Sequence, residues 1–244
     1  MPSVCVVVPC YNEERRLKVE SFQKFLTTNP NIDLLFVNDG SDDGTETIID
    51  QIMSQHPNAL KLSFAENGGK AEAVRKGFLH LLLENQYEYI GYLDADLATP
   101  FSEFNKLENE IRNRPAVKII LGSRWKRLGS RIERNWVRHY MGRIFATLVS
   151  LLFNIDVYDT QCGAKIMHTQ NLETIFRDPF VSKWFFDIEI LLRLILENPG
   201  ANMDQWAIEY PLEEWNEIGN SRIKLKDFIS VPLQLMRIRS RYRK

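Results

Sequence analysis

The chain has 244 residues, 44% of them apolar and 26% charged, a composition that suits one large globular domain with an ample core. A formal net charge of −1 excludes the strongly positive field of a general nucleic-acid binder, so any anionic partner must be met by local clusters. Three cysteines, Cys5, Cys10 and Cys162, form no CxxC pair and do not suit a secreted disulfide framework, so a reducing, cytoplasmic setting is expected.

Met1 to Glu13 lacks a basic start followed by a long apolar stretch, and no signal peptide is expected. The apolar runs near Leu79 to Leu83 and Ile144 to Ile155 are shorter or more interrupted than the ~20 residues of a spanning helix. The expectation is a soluble protein, at most peripheral on the cytoplasmic membrane face.

Short β-branched runs alternate with helical patterns through the first half, the mark of successive βαβ units and a parallel sheet. Val4 to Val8 reads as a buried strand, followed by a helix through Phe22 and Leu26 and a second strand at Leu34 to Val37. A helix from Thr45 places Ile48, Ile49, Ile52 and Met53 on one face; Lys61 to Phe64 is a third strand. The next helix buries Ala71, Val74, Phe78, Leu81 and Leu82, and Tyr89 to Leu93 is a fourth strand. The loops after Val8, Val37, Phe64 and Leu93 all follow strands, at the carboxyl edge where open α/β sheets bind ligands. Beyond Pro100 the pattern gives a helix from Ser102, a strand at Ile119 to Leu121 and an apolar helix from about Val137 to Phe153. Without repeats or a low-complexity linker, this half reads as an acceptor-side part (about 101–221) on the sheet of a nucleotide-binding part (about 1–100), with a basic helical tail at 222–244.

Asn38 to Thr45 ends a strand and opens a helix. Its Asp, Gly and Ser suit an ordinary turn and N-cap, but Asp39 at the strand end can also accept hydrogen bonds from a base or ribose. Asp94-Ala95-Asp96 follows a strand directly, and an extended backbone can aim both carboxylates at one divalent ion. A nucleotide diphosphate leaving group is the chemistry that needs such an ion, because Mg²⁺ or Mn²⁺ stabilises its developing charge. Asn67-Gly68-Gly69-Lys70 precedes a helix but is not a Walker A loop: Phe64 stands where Gly is required, and Ala71 replaces Ser or Thr. Lys70 there is either a solvated lysine beside a glycine turn or a cation for an anionic donor.

From Arg124 to Arg143 there are seven basic residues and one acidic, leading into an apolar helix that carries Met141, Ile144, Phe145, Leu148, Leu151, Leu152 and Phe153. This suits an anionic headgroup with a hydrocarbon tail, while a solvated charge run beside a buried helix is the plainer reading. From Arg222 onward there are eight basic residues and one acidic among apolar ones, either an interfacial helix or a tail packed on the domain, with Pro232 interrupting or starting the helical pattern. Asp187 and Glu189 follow three aromatics and open a helix, as an acidic first turn or as a carboxylate in an apolar rim fit for base work.

Taken in order, Val8 to Glu14, Asn38 to Thr45, Asn67 to Lys70, Tyr92 to Asp96, Gly122-Ser123-Arg124, Asp159 to Lys165 and Phe186 to Glu189 resemble glycosyltransferase family 2 with the GT-A fold. The resemblance is strongest to its polyprenyl- and dolichyl-phosphate hexosyltransferases, and within these to the dolichyl-phosphate β-glucosyltransferase branch. It implies an inverting hexosyltransferase built as one GT-A domain, a Rossmann-like, open, mostly parallel sheet with helices on both faces. It implies that Pro9, Tyr11, Glu13, Asp39, Lys70 and Asp94 bind the nucleotide-sugar, UDP-glucose in preference to a GDP-sugar such as GDP-mannose. Asp94 and Asp96 would hold the metal, Arg124, Arg138 and Gln161 the acceptor phosphate, and Asp187 stands where relatives with hydroxyl acceptors keep a base. Asn38 replaces one of two aspartates common in the family, and lipid-phosphate relatives often carry membrane helices. Transfer to a glycan hydroxyl and non-catalytic nucleotide-sugar binding are the alternatives.

Overall fold

The computed structural model describes residues 4–133, 136–218 and 225–242. The first half alternates as read: β1 (Val4–Cys10), α1 (Val19–Thr28), β2 (Ile32–Asp39), α2 (Thr45–Met53), β3 (Ala59–Phe64), α3 (Lys70–Glu84), β4 (Tyr89–Leu93) and α4 (Phe101–Arg112). The second half continues with β5 (Ile119–Ser123), β6 (Arg131–Glu133), α5 (Trp136–Phe153), β7 (Ala164–His168), α6 (Leu172–Phe176), α7 (Phe186–Glu197), β8 (Ala207–Pro211), β9 (Glu214–Asn216) and α8 (Leu225–Tyr242).

Seven strands form one sheet in the order β3-β2-β1-β4-β7-β5-β8, with β6 and β9 as a separate pair. Only β7 runs against its neighbours in the large sheet, pairing antiparallel with both β4 and β5. The order reverses beside β1, so the loops after β1, β2 and β4 open at one carboxyl edge, the place a doubly wound sheet offers a ligand.

Each central strand is buried on both faces, and its side chains split by parity. Val4, Val6 and Val8 join the cluster under α1, α2 and α4; Cys5 and Val7 join the one under α3 and α7. Gly77 lets α3 lie this close to the sheet, since a Cβ there would meet Val7 at 2.7 Å and Val37 at 3.0 Å.

α8 packs beside α5, and its buried Leu235 and Ile238 join the apolar cluster that also takes in α7. Tyr242 donates to Glu189 (3.0 Å) and accepts from Arg193 (2.8 Å), while Ser182 donates to Gln234 (2.7 Å). The helix runs through Pro232 rather than starting or breaking there, at the loss of one backbone hydrogen bond.

Candidate active site

The carboxyl edge gathers most of the sequence-singled residues. Asp94 follows β4, where its N–H donates to the Gly163 carbonyl (3.0 Å). A Cβ on Gly163 would collide with the Asp94 carboxylate, so the absence of a side chain on the strand-7 side is what gives Asp94 its room. The chain then turns sharply: Leu97 donates to the Asp94 carbonyl (3.1 Å) in a left-handed conformation (φ 55°), and Asp96 accepts from the Ala98 N–H (3.0 Å). Left-handed backbone is costly for a leucine and persists here because the side chain is buried and the turn is tied at both ends.

Lys70, the first residue of α3, reaches across to Asp94 Oδ1 at 2.6 Å. Its ammonium lies 5.6 Å from the Tyr92 ring centre and 6.0 Å from that of Phe186. Burial works against its charge, yet Asp94, Asp187 and Asp96 outweigh that and raise its pKa. Burial first, and then the charge of Asp94, raise the Asp96 carboxyl above its ordinary value. Two crowded carboxylates of this kind offer hard oxygen donors to a divalent cation. Among the described residues no cluster of three or more His, Cys, Asp or Glu is poised to enclose one, so the remaining ligands would have to come from diphosphate and water.

Asp39 is buried, and its two oxygens accept from the Gly68 and Gly69 N–H groups at 2.9 and 2.7 Å. It thereby clamps the Asn67 to Lys70 loop to the end of β2, in addition to whatever ligand it meets. Burial raises its pKa against the pull of these two bonds. Glu13 is likewise engaged: it takes Arg16 bidentately at 2.6 and 2.5 Å, and its N–H donates to Thr45 Oγ1 (2.8 Å). Asn12, left-handed at φ 51°, stitches the β1 loop to the β2 loop through Ser41 and Asp42. Tyr11 is exposed and Pro9 partly so at the same edge.

Sequence reasoning missed Arg16, whose pKa Glu13, Asp96 and Asp94 raise against its own burial. No local pattern marks it, because the aspartates that give it meaning lie some eighty residues further along the chain. It also missed the network beneath the site. Lys165, fully buried in β7, donates to the Cys162 carbonyl (2.7 Å) and Tyr92 Oη (3.0 Å) and pairs with Asp187 Oδ1 (2.8 Å). Tyr92 donates to the same Asp187 oxygen, and burial and that carboxylate push the phenol well above its ordinary pKa. Asp187 therefore does not sit in a purely apolar rim: a lysine and a tyrosine hold one of its oxygens.

Arg124 lies against Asp159, with Nε and Nη2 at 2.6 and 2.8 Å, and over the Trp215 ring at 5.3 Å. Asp159 opposes the burial of this guanidinium and holds its pKa above the ordinary value. Gln161 is partly buried, its amide 3.5 Å from Thr160 Oγ1. The side chain of Arg138, on α5, lies outside the described residues. The hydroxyl of Ser123, paired with Pro211 at the end of β5, is buried with no hydrogen-bond partner among the described residues.

A family model described as glycosyl transferase family 2 matches residues 5–176, from β1 through α6. The chain belongs to glycosyltransferase family 2. The match spans every site residue above except those of α7, α8 and β9. A dolichyl-phosphate β-glucosyltransferase of Trichomonas vaginalis is 32% identical over 95% of this chain and 69% of its own length. One from Saccharomyces cerevisiae is 30% identical over 97% of this chain and 74% of its own. Among solved structures, glucosyl-3-phosphoglycerate synthase from Mycobacterium tuberculosis, in complex with Mn²⁺, UDP-glucose and phosphoglyceric acid, shares the fold. It aligns with a TM-score of 0.69 at 16% identity, over 98% of this chain and 80% of that one. This family 2 glycosyltransferase accordingly has the α/β architecture of those neighbours, a central seven-stranded sheet flanked by helices.

Proposed function

We propose that this enzyme transfers a hexose, glucose from UDP-glucose in preference to a GDP-sugar, to a polyprenyl phosphate with inversion at the anomeric carbon. The observation that carries the acceptor class is the face of α5. Trp136, Tyr140, Ile144, Leu148 and Leu151 recur every three or four residues and are all exposed, an apolar stripe of a kind a water-bound helix seldom leaves uncovered. Arg143 is exposed on the same helix, and Arg127 and Arg131 are exposed in the segment that precedes it. Aromatics, aliphatics and guanidinium groups together suit a lipid surface bearing phosphate. α5 also reaches the site: Phe145 stacks on Phe185 (5.0 Å between centres), the residue before Phe186, whose ring lies beside Lys70. The relatives named for dolichyl phosphate support the same acceptor class. Among the described residues no helix is long and apolar enough to cross a membrane, so contact through α5 would be peripheral.

In this reading Pro9, Tyr11, Glu13 and Asp39 line the nucleotide pocket, Lys70 meets the diphosphate, and Asp94 and Asp96 hold Mg²⁺ or Mn²⁺. A bound cation of this kind supplies charge stabilisation to the departing diphosphate. Arg124 and Arg138, with Gln161, orient the acceptor phosphate. A phosphate oxygen is already anionic, so its attack needs positioning rather than proton removal. The geometry of Asp187 fits that: Lys165 and Tyr92 hold it as an anchored counter-charge.

Two measurements test the proposal. In a thermal-shift screen with Mn²⁺, UDP-glucose is expected to raise Tm more than GDP-mannose does, because a ligand bound to the native state stabilises it by mass action. Asp187→Asn should keep transfer to a polyprenyl phosphate within about tenfold of wild type, whereas loss of a general base costs about 10²–10⁴-fold. A loss in that larger range, in a variant whose Tm stays at that of wild type, would return Asp187 to the role of base and favour a hydroxyl acceptor.

A further inference from the structure

We infer that Lys70 is the resident counter-ion of Asp94 and moves between two carboxylates, so that metal binding depends on the arrival of the diphosphate. The inference rests on Asp94 and Asp96 holding the cation, as proposed above. The Lys70 ammonium contacts Asp94 Oδ1 at 2.6 Å, and an oxygen engaged by an ammonium is not free to ligate a metal. The contact is well supported. Lys70 stands at the first position of α3, and its loop is fixed to β2 by the two hydrogen bonds from Gly68 and Gly69 to Asp39. The Lys183 side chain packs over Gly69 from the other side.

Lys70 also has somewhere to go. The Tyr92 and Phe186 rings flank its ammonium at 5.6 and 6.0 Å, and Asp187 begins the same helix as Phe186. Lys165 and Tyr92 both occupy Asp187 Oδ1, and no hydrogen bond among the described residues engages its Oδ2. A diphosphate entering beside Lys70 would draw the ammonium from Asp94 toward its own oxygens and the Asp187 carboxylate. Asp94 would thus be released to the metal at the moment the leaving group is in place. A ligand that binds only a fraction of the population shows an apparent affinity reduced by that fraction, and the coupling is reciprocal.

The test measures Mn²⁺ binding directly, by the electron paramagnetic resonance signal of free Mn²⁺, with and without UDP. Wild type is expected to bind Mn²⁺ weakly alone and on the order of tenfold or more tightly with UDP, within the usual range of coupling between sites. Lys70→Gln should bind Mn²⁺ without nucleotide on the order of tenfold more tightly than wild type. Lys70→Arg, which keeps a cation at Asp94, should stay within about threefold of wild type. Lys183→Gln removes a nearby positive charge that does not contact Asp94 and should also change little, since a screened exposed charge is worth roughly threefold or less. Lys70→Gln that leaves the nucleotide-free affinity unchanged or weaker, or Lys183→Gln that tightens it equally, overturns the inference while leaving the metal site intact. Absence of Mn²⁺ binding to wild type even with UDP overturns the metal site itself, and this inference with it.

Discussion

Single side chains at the carboxyl edge carry the most pointed expectations. Gly163→Ala would drive a methyl group into the Asp94 carboxylate, so kcat/KM should fall about 10²-fold, the scale of misplacing a reacting group by an ångström, with Tm little changed. Asp96 runs the other way. Because burial and Asp94 hold its carboxyl above the ordinary value, the folded chain keeps that proton to higher pH than the unfolded chain. The stability it contributes is therefore fully present below the ordinary aspartate range and is lost as pH rises through the folded pKa. Asp96→Asn keeps an acceptor for the Ala98 N–H and removes the buried charge, so thermal unfolding at neutral pH should shift up by about 2–4 °C, for a gain of about 1 kcal/mol, while Mn²⁺ binding in the presence of UDP is lost. At this scale the sequence was informative where a residue's meaning is local. Asp94, Asp96, Asp39 and Lys70 each stand at a strand end or helix start, and all four come to one edge. The tie of Arg16 to the aspartates and of Tyr92 to Asp187 was not legible, since only the fold brings these distant residues together.

Among elements, β7 shows both why part of the fold was hidden and what holds the site's floor. Its sequence, Ala164-Lys165-Ile166-Met167-His168, breaks the apolar run that marks a buried strand with a lysine at its second position. That lysine is buried because Asp187 on α7 and Tyr92 on β4 come to meet it, an arrangement no periodicity reveals. β6 and β9, at three residues each, were too short to stand out, whereas β1, β2 and β4 did so as continuous apolar runs. Lys165→Met should leave Asp187 as an uncompensated buried charge and destabilise by about 3–5 kcal/mol in urea unfolding. Adding Asp187→Leu should recover part of that loss, because an apolar pair is often no worse than a buried ion pair. A double variant as unstable as the single one would show that Lys165 matters for packing alone.

The molecule as a whole joins the edge built by the first four strands, where we propose the donor binds, to a second half in which α5 presents an exposed apolar stripe. Its sheet order places the acidic pair between the two, and the Phe145 to Phe185 contact links the lipid-suited helix to the site. Ile144→Ser with Leu151→Ser in the exposed stripe should weaken partitioning onto anionic lipid vesicles by at least about tenfold, as the lost apolar burial dictates, with Tm unchanged. The central claim is tested most directly by product analysis. The enzyme is incubated with Mn²⁺, UDP-glucose labelled in the sugar and a polyprenyl phosphate, and the lipid phase is extracted and its anomeric configuration read by NMR. The expected product is a β-linked polyprenyl-phosphate glucose whose formation is lost in Asp94→Asn and Asp96→Asn. Label that stays out of the lipid phase and appears instead on a glycan hydroxyl, or an α-linked lipid product, would contradict it.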